Sequence, residues 1–385
     1  MKVKEDYKGF EVGPIRPPSE GDSLLLRLTR NCSWNKCTFC GLYKGEKFSI
    51  RSIEHVFEDI ENLKLWIDAL SEENKEANNL AELKRVESLK KTAGIHNEWA
   101  YYSATQWLKT GMKSIFLQDA NTMIMKPDDL VDILQRVRDY FPNVERVTSY
   151  ARSHTINNIS DEDLKRIADA GLNRIHIGME SANDDVLKIV KKGVDKKTHI
   201  LAGQKVKRAG IELSEYYMPG LGGQEYSEGN ALDTADALNQ INPDFIRIRT
   251  LALPDDILLV EDYRNGTFTR TNDAMMAKEL QTMIKNLEGI DSYVKSDHIL
   301  NLIEEVEGRL AQDKDKMVNA LQWYLDLSRE DQIIFSVGRR SGVMKSIKDF
   351  NDPHRKERVL NTMAQFNINE SNADQTIDEL MKRFI

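Results

Sequence analysis

Three cysteines are the residues of this sequence best suited to do chemistry. Cys32, Cys37 and Cys40 are spaced C-x4-C-x2-C, and the 385-residue chain has no others. An odd, tightly bunched set does not make a disulfide framework. It points to thiolates kept for a metal, in a compartment that holds them reduced. A short loop with three thiolates can grip three irons of a [4Fe–4S] cube and leave the fourth iron without a protein ligand. An open iron accepts a small chelating molecule through its amine and carboxylate, as a catalytic centre does and an electron carrier does not. A zinc site of three cysteines and one histidine is the rival reading. The nearest histidine in sequence is His55, so that fourth ligand would have to arrive through folding.

The elements that must position the cysteines follow from hydrophobic periodicity. Residues 23–29 (SLLLRLT) make a first buried strand that runs directly into the cysteine loop. Further apolar runs at 114–118, 146–150, 174–179, 211–218 and 245–253 alternate with amphipathic stretches at 127–140, 161–170, 183–192, 196–209 and 231–241. Strand–helix alternation with apolar strands implies an α/β fold, with a parallel sheet covered by helices. The count gives a partial (β/α)6 TIM-like barrel, short of eight units, with its chemistry at the strand C-termini. Gly171 and Gly210 each follow an alanine at a helix end, where a C-terminal cap is expected.

Three divisions follow. Residues 1–22, with Gly13-Pro14 and Arg16-Pro17-Pro18, form an extended N-terminal arm. Residues 23–260 form the partial barrel. A helical insertion at about 52–110 interrupts it, and within that the charged stretch 72–91 is a solvated helical excursion. Residues 261–385 form a helical C-terminal region, with helices at 273–287, 297–310, 314–327 and 373–384.

The cysteine segment NCSWNKCTFCG resembles the radical S-adenosylmethionine (radical SAM) superfamily. The family's usual triad is C-x3-C-x2-C with an aromatic residue before the last cysteine, and Phe39 holds that place. The extra residue between Cys32 and Cys37 departs from the pattern. The resemblance covers about 23–253 and looks closest to the branch of oxygen-independent coproporphyrinogen oxidase. It implies a [4Fe–4S] cluster and S-adenosylmethionine as cofactors, with Phe39 near the adenine.

By the same resemblance, Gln118, Asp119 and Asn121 after the second strand take the place of a segment that receives the cofactor's amino group. All three can accept hydrogen bonds from an ammonium. Glu180 and Ser181 after the fourth strand correspond to a step that reaches the ribose hydroxyls; they would equally serve to cap the next helix. Gly220, in the turn MPGLGG, lets the backbone approach a ligand closely, where the family has a backbone contact to adenine.

Three further residues are candidates on their own chemistry. Arg152, at the end of the third strand, can pair with a carboxylate bidentately or form a surface salt bridge. Arg247 and Arg249 share one face of the sixth strand, and Arg249 is taken as the one that meets a cofactor or substrate carboxylate. His298 is read at the start of a helix capped by Ser296 or Asp297, as an acid/base group or a solvent-facing histidine.

Composition bounds the partners. Charged residues make up 30% of the chain and apolar residues 40%, with a net charge of -8, which disfavours a broad nucleic-acid footprint. The apolar runs are strand-sized, far below a membrane span. The first residues, MKVKED, lack the apolar stretch of a signal peptide. We expect a cytoplasmic protein with neither nucleic acid nor membrane as a partner. The resemblance implies an enzyme that works anaerobically on a small-molecule substrate, with electrons from a one-electron reductant such as flavodoxin or ferredoxin. The resemblance also admits a haem-binding chaperone without turnover, or a radical methyltransferase.

Overall fold

The computed structural model describes residues 6–73, 88 and 98–384. Most of the charged stretch expected as a helical excursion at 72–91 lies outside the described residues. The chain divides into two compact units. The first comprises Met1–Ser33, Gly45–His176 and Arg208–Ile211; the second comprises Trp34–Lys44, Ile177–Lys207 and Glu212–Ile385.

The first unit holds strands β1 (Leu24–Arg27), β2 (Thr29–Arg30), β3 (Ser49–Ile50), β4 (Ser114–Gln118) and β5 (Arg146–Ala151). β1, β4 and β5 run parallel, with Leu25 opposite Phe116 and Phe116 opposite Thr148. β2 and β3 form a short antiparallel ladder. All five residues of β4 are buried, the mark of a strand covered on both faces. The helix Pro127–Tyr140 begins with proline in its first turn, followed by Asp128 and Asp129, and ends near Arg138. That order suits both the fixed φ of proline and the helix dipole. Its Leu130, Ile133, Leu134 and Val137 are buried. The i, i+3, i+4, i+7 spacing makes one apolar stripe, each fully buried side chain contributing about 1.5–3 kcal/mol. The helix Asp161–Asp169 is capped by Ser160, whose side chain accepts from the Asp163 N–H at 3.0 Å. Gly171, at φ 116°, follows it in the left-handed conformation expected of a glycine cap.

The insertion is helical at Ile53–Glu73 and Glu98–Lys109. Strand β6 (Arg174–Glu180) has its first three residues in the first unit and the rest in the second.

The second unit holds β7 (Glu212–Tyr217), β8 (Phe245–Ile248), β9 (Tyr293–Lys295) and β10 (Gly308–Arg309). β7, β8 and β9 are parallel in succession, and β10 returns antiparallel to β9. Helices Asp273–Lys285, Leu310–Asp326, Arg329–Arg340, Pro353–Gln365 and Ala373–Met381 follow β8. Parallel strands alternating with helices give the α/β class of a partial TIM-like barrel.

The region after residue 262 corrects the sequence reading. The expected helix at 297–310 does not form: β9 precedes it, turns fill 298–305, and β10 occupies its end. Asn301 explains why. Its side chain accepts from Thr250 N at 3.0 Å and donates to Ile248 O at 2.8 Å. Both bonds tie the segment to the end of β8 instead of to a helix of its own. The strand pattern therefore does not stop at six units. Among the described residues no helix is long and apolar enough to cross a membrane.

Candidate functional site

The chain passes from the first unit to the second between Ser33 and Trp34, so Cys32 belongs to the first unit and Cys37 and Cys40 to the second. Just before Cys32, Asn31 adopts φ 67°, a left-handed conformation that asparagine tolerates better than most residues. Its N–H donates to Asp119 Oδ2 at 3.3 Å, and its side chain donates to Lys47 O at 2.8 Å.

In the second unit the loop is stitched through its backbone. Thr38 N–H donates to Val190 O at 3.0 Å, and Thr38 O accepts from Leu259 N–H at 2.9 Å. Trp34 Nε1 donates to Lys191 O at 2.8 Å, and Lys44 Nζ donates to Asn35 O at 2.9 Å. Phe39 packs against an apolar cluster that includes Val186, Val190, Leu221 and Leu253. Lys192 Nζ lies 5.5 Å from the centre of its ring, within cation–π reach.

None of the three thiols is in a disulfide, and each is half-buried. Among the described residues no three His, Cys, Asp or Glu side chains are grouped to hold a metal ion. His55, the sequence-nearest histidine, stacks on Tyr7 with ring centres 5.5 Å apart. Three cysteines in one short loop, none of them in a disulfide, nevertheless suit by their donor chemistry an iron–sulfur cluster with one open iron. Such ligand sites are commonly completed by the metal that they bind.

The candidates of the first unit are held by close partners. Gln118 uses its side-chain amide on the N-terminal arm: Oε1 accepts from Gly13 N–H at 2.8 Å, and Nε2 donates to Gly13 O at 3.2 Å. Asp119 is fully buried, and its Oδ2 accepts from Arg27 at 2.8 and 3.1 Å. A Cβ on Gly13 would stand 2.8 Å from that same oxygen, so only glycine lets the arm lie so close to Asp119. Asn121 donates to Ser33 Oγ and to Thr155 Oγ1, both at 2.9 Å, and accepts from the Arg152 N–H at 3.1 Å. Arg152 is half-buried, just before the helix Ser153–Asn158.

In the second unit Glu180 ends β6 with φ 65°. Lys192 Nζ stands 3.5 Å from its Oε1. A Cβ on Gly178 would come within 2.5 Å of that Oε1 and 3.3 Å of Lys192 Nζ, so the glycine makes room for the pair. Ser181 is buried, and its Oγ accepts from Asn183 N–H at 3.0 Å. The cap of the helix Asp184–Ile189 is Asn183, which accepts from Val186 N–H at 3.0 Å. Neither Glu180 nor Ser181 has that task.

Gly220 adopts φ 87°. Its N–H donates to Glu279 Oε1 at 3.0 Å. Tyr217 and Asn230 also donate to Glu279 Oε1, and Ser227 to Oε2. Burial nevertheless pushes the Glu279 carboxyl up to about 7, outweighing four donors.

The two arginines of the sixth strand separate. Arg247 is buried in a structural pair, donating to Ser214 Oγ at 3.2 Å and Asp297 Oδ2 at 2.8 Å. Arg249 is exposed. His298 lies in a turn, not at a helix start, and its Nδ1 accepts from Leu300 N–H at 3.3 Å. Burial first, and then the Arg249 charge, lower its pKa to about 4. It is therefore neutral at pH 7.

Sequence reasoning missed Lys192, Glu215 and Glu279. Glu215 left a signal, as a lone carboxylate inside the strand sequence ELSEYY. Glu279 also left one: it stands among Met276, Leu280 and Met283 on the buried side of its helix.

Residues 105–235 match the sequence model of the Radical SAM superfamily. The match begins after the cysteine loop and takes in the ends of β4, β5, β6 and β7. The tRNA uridine(34) acetyltransferase of Methanocaldococcus infernus is 24% identical over 110 residues, which is 28% of this chain and 21% of that relative. The chain thus spans about a fifth of that curated relative. Among solved structures, methylornithine synthase is similar with a TM-score of 0.42 and 12% identity, over 78% of this chain and 70% of that one. HydG, a maturase of the [FeFe]-hydrogenase, is similar with a TM-score of 0.41 and 13% identity, over 94% and 81%. At these scores neither likeness carries an argument on substrate or reaction.

Proposed function

We infer, from a chain that carries a radical SAM domain, that it is an enzyme of that superfamily, with Cys32, Cys37 and Cys40 holding its [4Fe–4S] cluster. Members of the superfamily are enzymes that use this cluster and S-adenosylmethionine, and they need a substrate and a source of electrons. The observation that carries the ligand assignment is the loop itself: three half-buried thiols outside any disulfide, with Phe39 seated on an apolar cluster between the second and third.

When bound, the cluster and S-adenosylmethionine supply a 5′-deoxyadenosyl radical through one-electron cleavage of a carbon–sulfur bond. The residues of this chain orient and shield. Phe39 offers an apolar face to the adenine, and the Gly220 turn offers backbone to it. Glu180 and Ser181 are assigned to the ribose hydroxyls, with Lys192 beside Glu180 holding its carboxylate in place. Gln118, Asp119 and Asn121 are assigned to the cofactor's amino-acid end. The contacts of Asp119 to Asn31 and of Asn121 to Ser33 couple that edge to the residues beside Cys32, and Gln118 ties it to the N-terminal arm at Gly13. Arg249, Arg152 and His298 are assigned to carboxylate or substrate contacts, with His298 as a neutral acceptor. We assign to the chain a small-molecule substrate that would give up a hydrogen atom, with a flavodoxin or ferredoxin as electron donor.

Anaerobic reconstitution with iron and sulfide, followed by reduction in the presence of S-adenosylmethionine, tests this reading. We expect release of 5′-deoxyadenosine and methionine. Stoichiometric zinc without sulfide would overturn it, as would a loaded cluster that never cleaves the cofactor.

A further inference from the structure

A buried carboxylate in the second unit has no use in the scheme above. Glu215 sits in the middle of β7 with 1% of its surface exposed, and neither of its side-chain oxygens has a hydrogen-bond partner. Native proteins rarely leave a buried polar group unsatisfied, because each such group costs about 1–3 kcal/mol, and more when it is charged. An orphan of this kind calls for a partner from outside the chain.

Its surroundings state what that partner is. Two charged groups act on Glu215: the ammonium of Lys192 and the carboxylate of Glu180. Lys192 is already 3.5 Å from Glu180 Oε1, so two carboxylates face one ammonium. The group as a whole keeps spare acceptors, since Glu180 Oε2 is likewise buried without a hydrogen-bond partner. Burial pushes the Glu215 carboxyl well above its ordinary range, as expected where no donor holds the charged form. Gly178 lets the Glu180 carboxylate and the Lys192 ammonium come together, since they fill the space that a Cβ there would take. A hydroxyl would offer one donor and no charge. An ammonium offers three donors, and its charge would favour the ionised carboxylate that burial alone disfavours.

We propose that Glu215 is a substrate-recognition residue that receives an ammonium group of the substrate, next to the Glu180–Lys192 pair. The proposal rests on the reading of this chain as a radical SAM enzyme. It makes that enzyme's substrate an amine. Lys192, whose charge acts on Glu215, lies 3.5 Å from Glu180 Oε1 and 5.5 Å from the centre of the Phe39 ring, which links this carboxyl to residues assigned to the cofactor.

The test uses the full reconstituted chain with S-adenosylmethionine, methylammonium chloride as the probe, and sodium chloride at equal ionic strength as the control. Methylammonium should raise the melting midpoint of the unaltered chain by about 2 °C or more, and sodium should not. Glu215→Gln and Glu215→Leu should abolish that shift. Both should melt above the unaltered chain without probe, since each removes a buried carboxyl that no hydrogen-bond donor holds. Their affinity for S-adenosylmethionine should stay within about twofold, a change too small to be a lost charged contact. A probe shift that survives in the variants overturns the proposal, as does its absence in the unaltered chain. Failure of either variant to fold, or melting below the unaltered chain, makes Glu215 a structural partner of Lys192. Loss of cofactor affinity with no probe shift assigns the carboxylate to the sulfonium cofactor instead. Absence of 5′-deoxyadenosine from the unaltered chain would count against the enzyme reading alone, because the melting shifts do not depend on cleavage.

Discussion

Trp34 donates from its indole nitrogen to the carbonyl of Lys191 at 2.8 Å, and its ring closes over the backbone of Gly193. A Cβ at Gly193 would stand 2.2 Å from the ring, at a φ of +74°. The cysteine loop is thus locked to the segment after β6 by a contact that tolerates no side chain. Gly193→Ala should destabilise the protein by about 1–3 kcal/mol through overpacking and backbone strain. It should also lower the iron retained per chain, because Trp34 lies between Cys32 and Cys37. Denaturant unfolding and iron analysis check this; a variant unchanged in both would show that the lock plays no part in holding the loop.

Arg27 and Asp119 form a second anchor. The Asp119 side chain is fully buried and that of Arg27 nearly so, at 14% exposure. Breaking a buried pair strands the remaining charge. Asp119→Ala should therefore cost about 3–5 kcal/mol. The double variant with Arg27→Ala should cost clearly less than the sum of the single changes. A double-mutant cycle by denaturant unfolding decides, and simple additivity would mean that the pair is not coupled.

Much of this arrangement was legible in the sequence, and the exceptions have physical causes. Pro127 with Asp128 and Asp129, and Ser160 ahead of three acids, mark helix starts that the structure reproduces. Apolar runs located β1 and β4 to β8 because each is long enough to show a pattern. β9 has three residues and β10 two, too few for any periodicity. The false helix at 297–310 arose because Asn301 and Arg339, which fix that turn region, act from tertiary contacts. Arg339 donates to Leu302 O at 2.8 Å, across a sequence distance that no local pattern reports. Phe39 could be singled out by its place before Cys40. Lys192 could not, because its contacts to Phe39 and Glu180 exist only after folding.

Glu279 gives stability a pH dependence. Its folded pKa is raised to about 7 from an ordinary 4.5. Its contribution is therefore fully present below pH 4.5 and is lost as pH rises through 7. The size is about 3 kcal/mol on the linkage relation. Glu279→Gln, which keeps a similar shape, should flatten the fall in unfolding free energy between pH 4.5 and 7. Unfolding curves across that interval check it, and an unchanged slope would contradict the assignment.

His298 titrates in the opposite sense. Its pKa is lowered from 6.5 to about 4, so its neutral form favours the fold. That contribution is present above pH 6.5 and is lost as pH falls through about 4. Proton NMR of the histidine ring, assigned by loss of the signal in His298→Gln, should show a midpoint near 4. A midpoint near 6.5 would mean that neither burial nor Arg249 acts on it.

The most direct measurement compares the unaltered chain with Cys37→Ala after anaerobic reconstitution, following iron, sulfide and 5′-deoxyadenosine in the same samples. We expect the unaltered chain to hold about four irons and four sulfides, the make-up of one [4Fe–4S] cluster, and to release 5′-deoxyadenosine on reduction. The variant should lose the release and most of its cluster. Full cleavage by Cys37→Ala, or zinc without sulfide in the unaltered chain, would contradict the assignment of Cys32, Cys37 and Cys40 as cluster ligands.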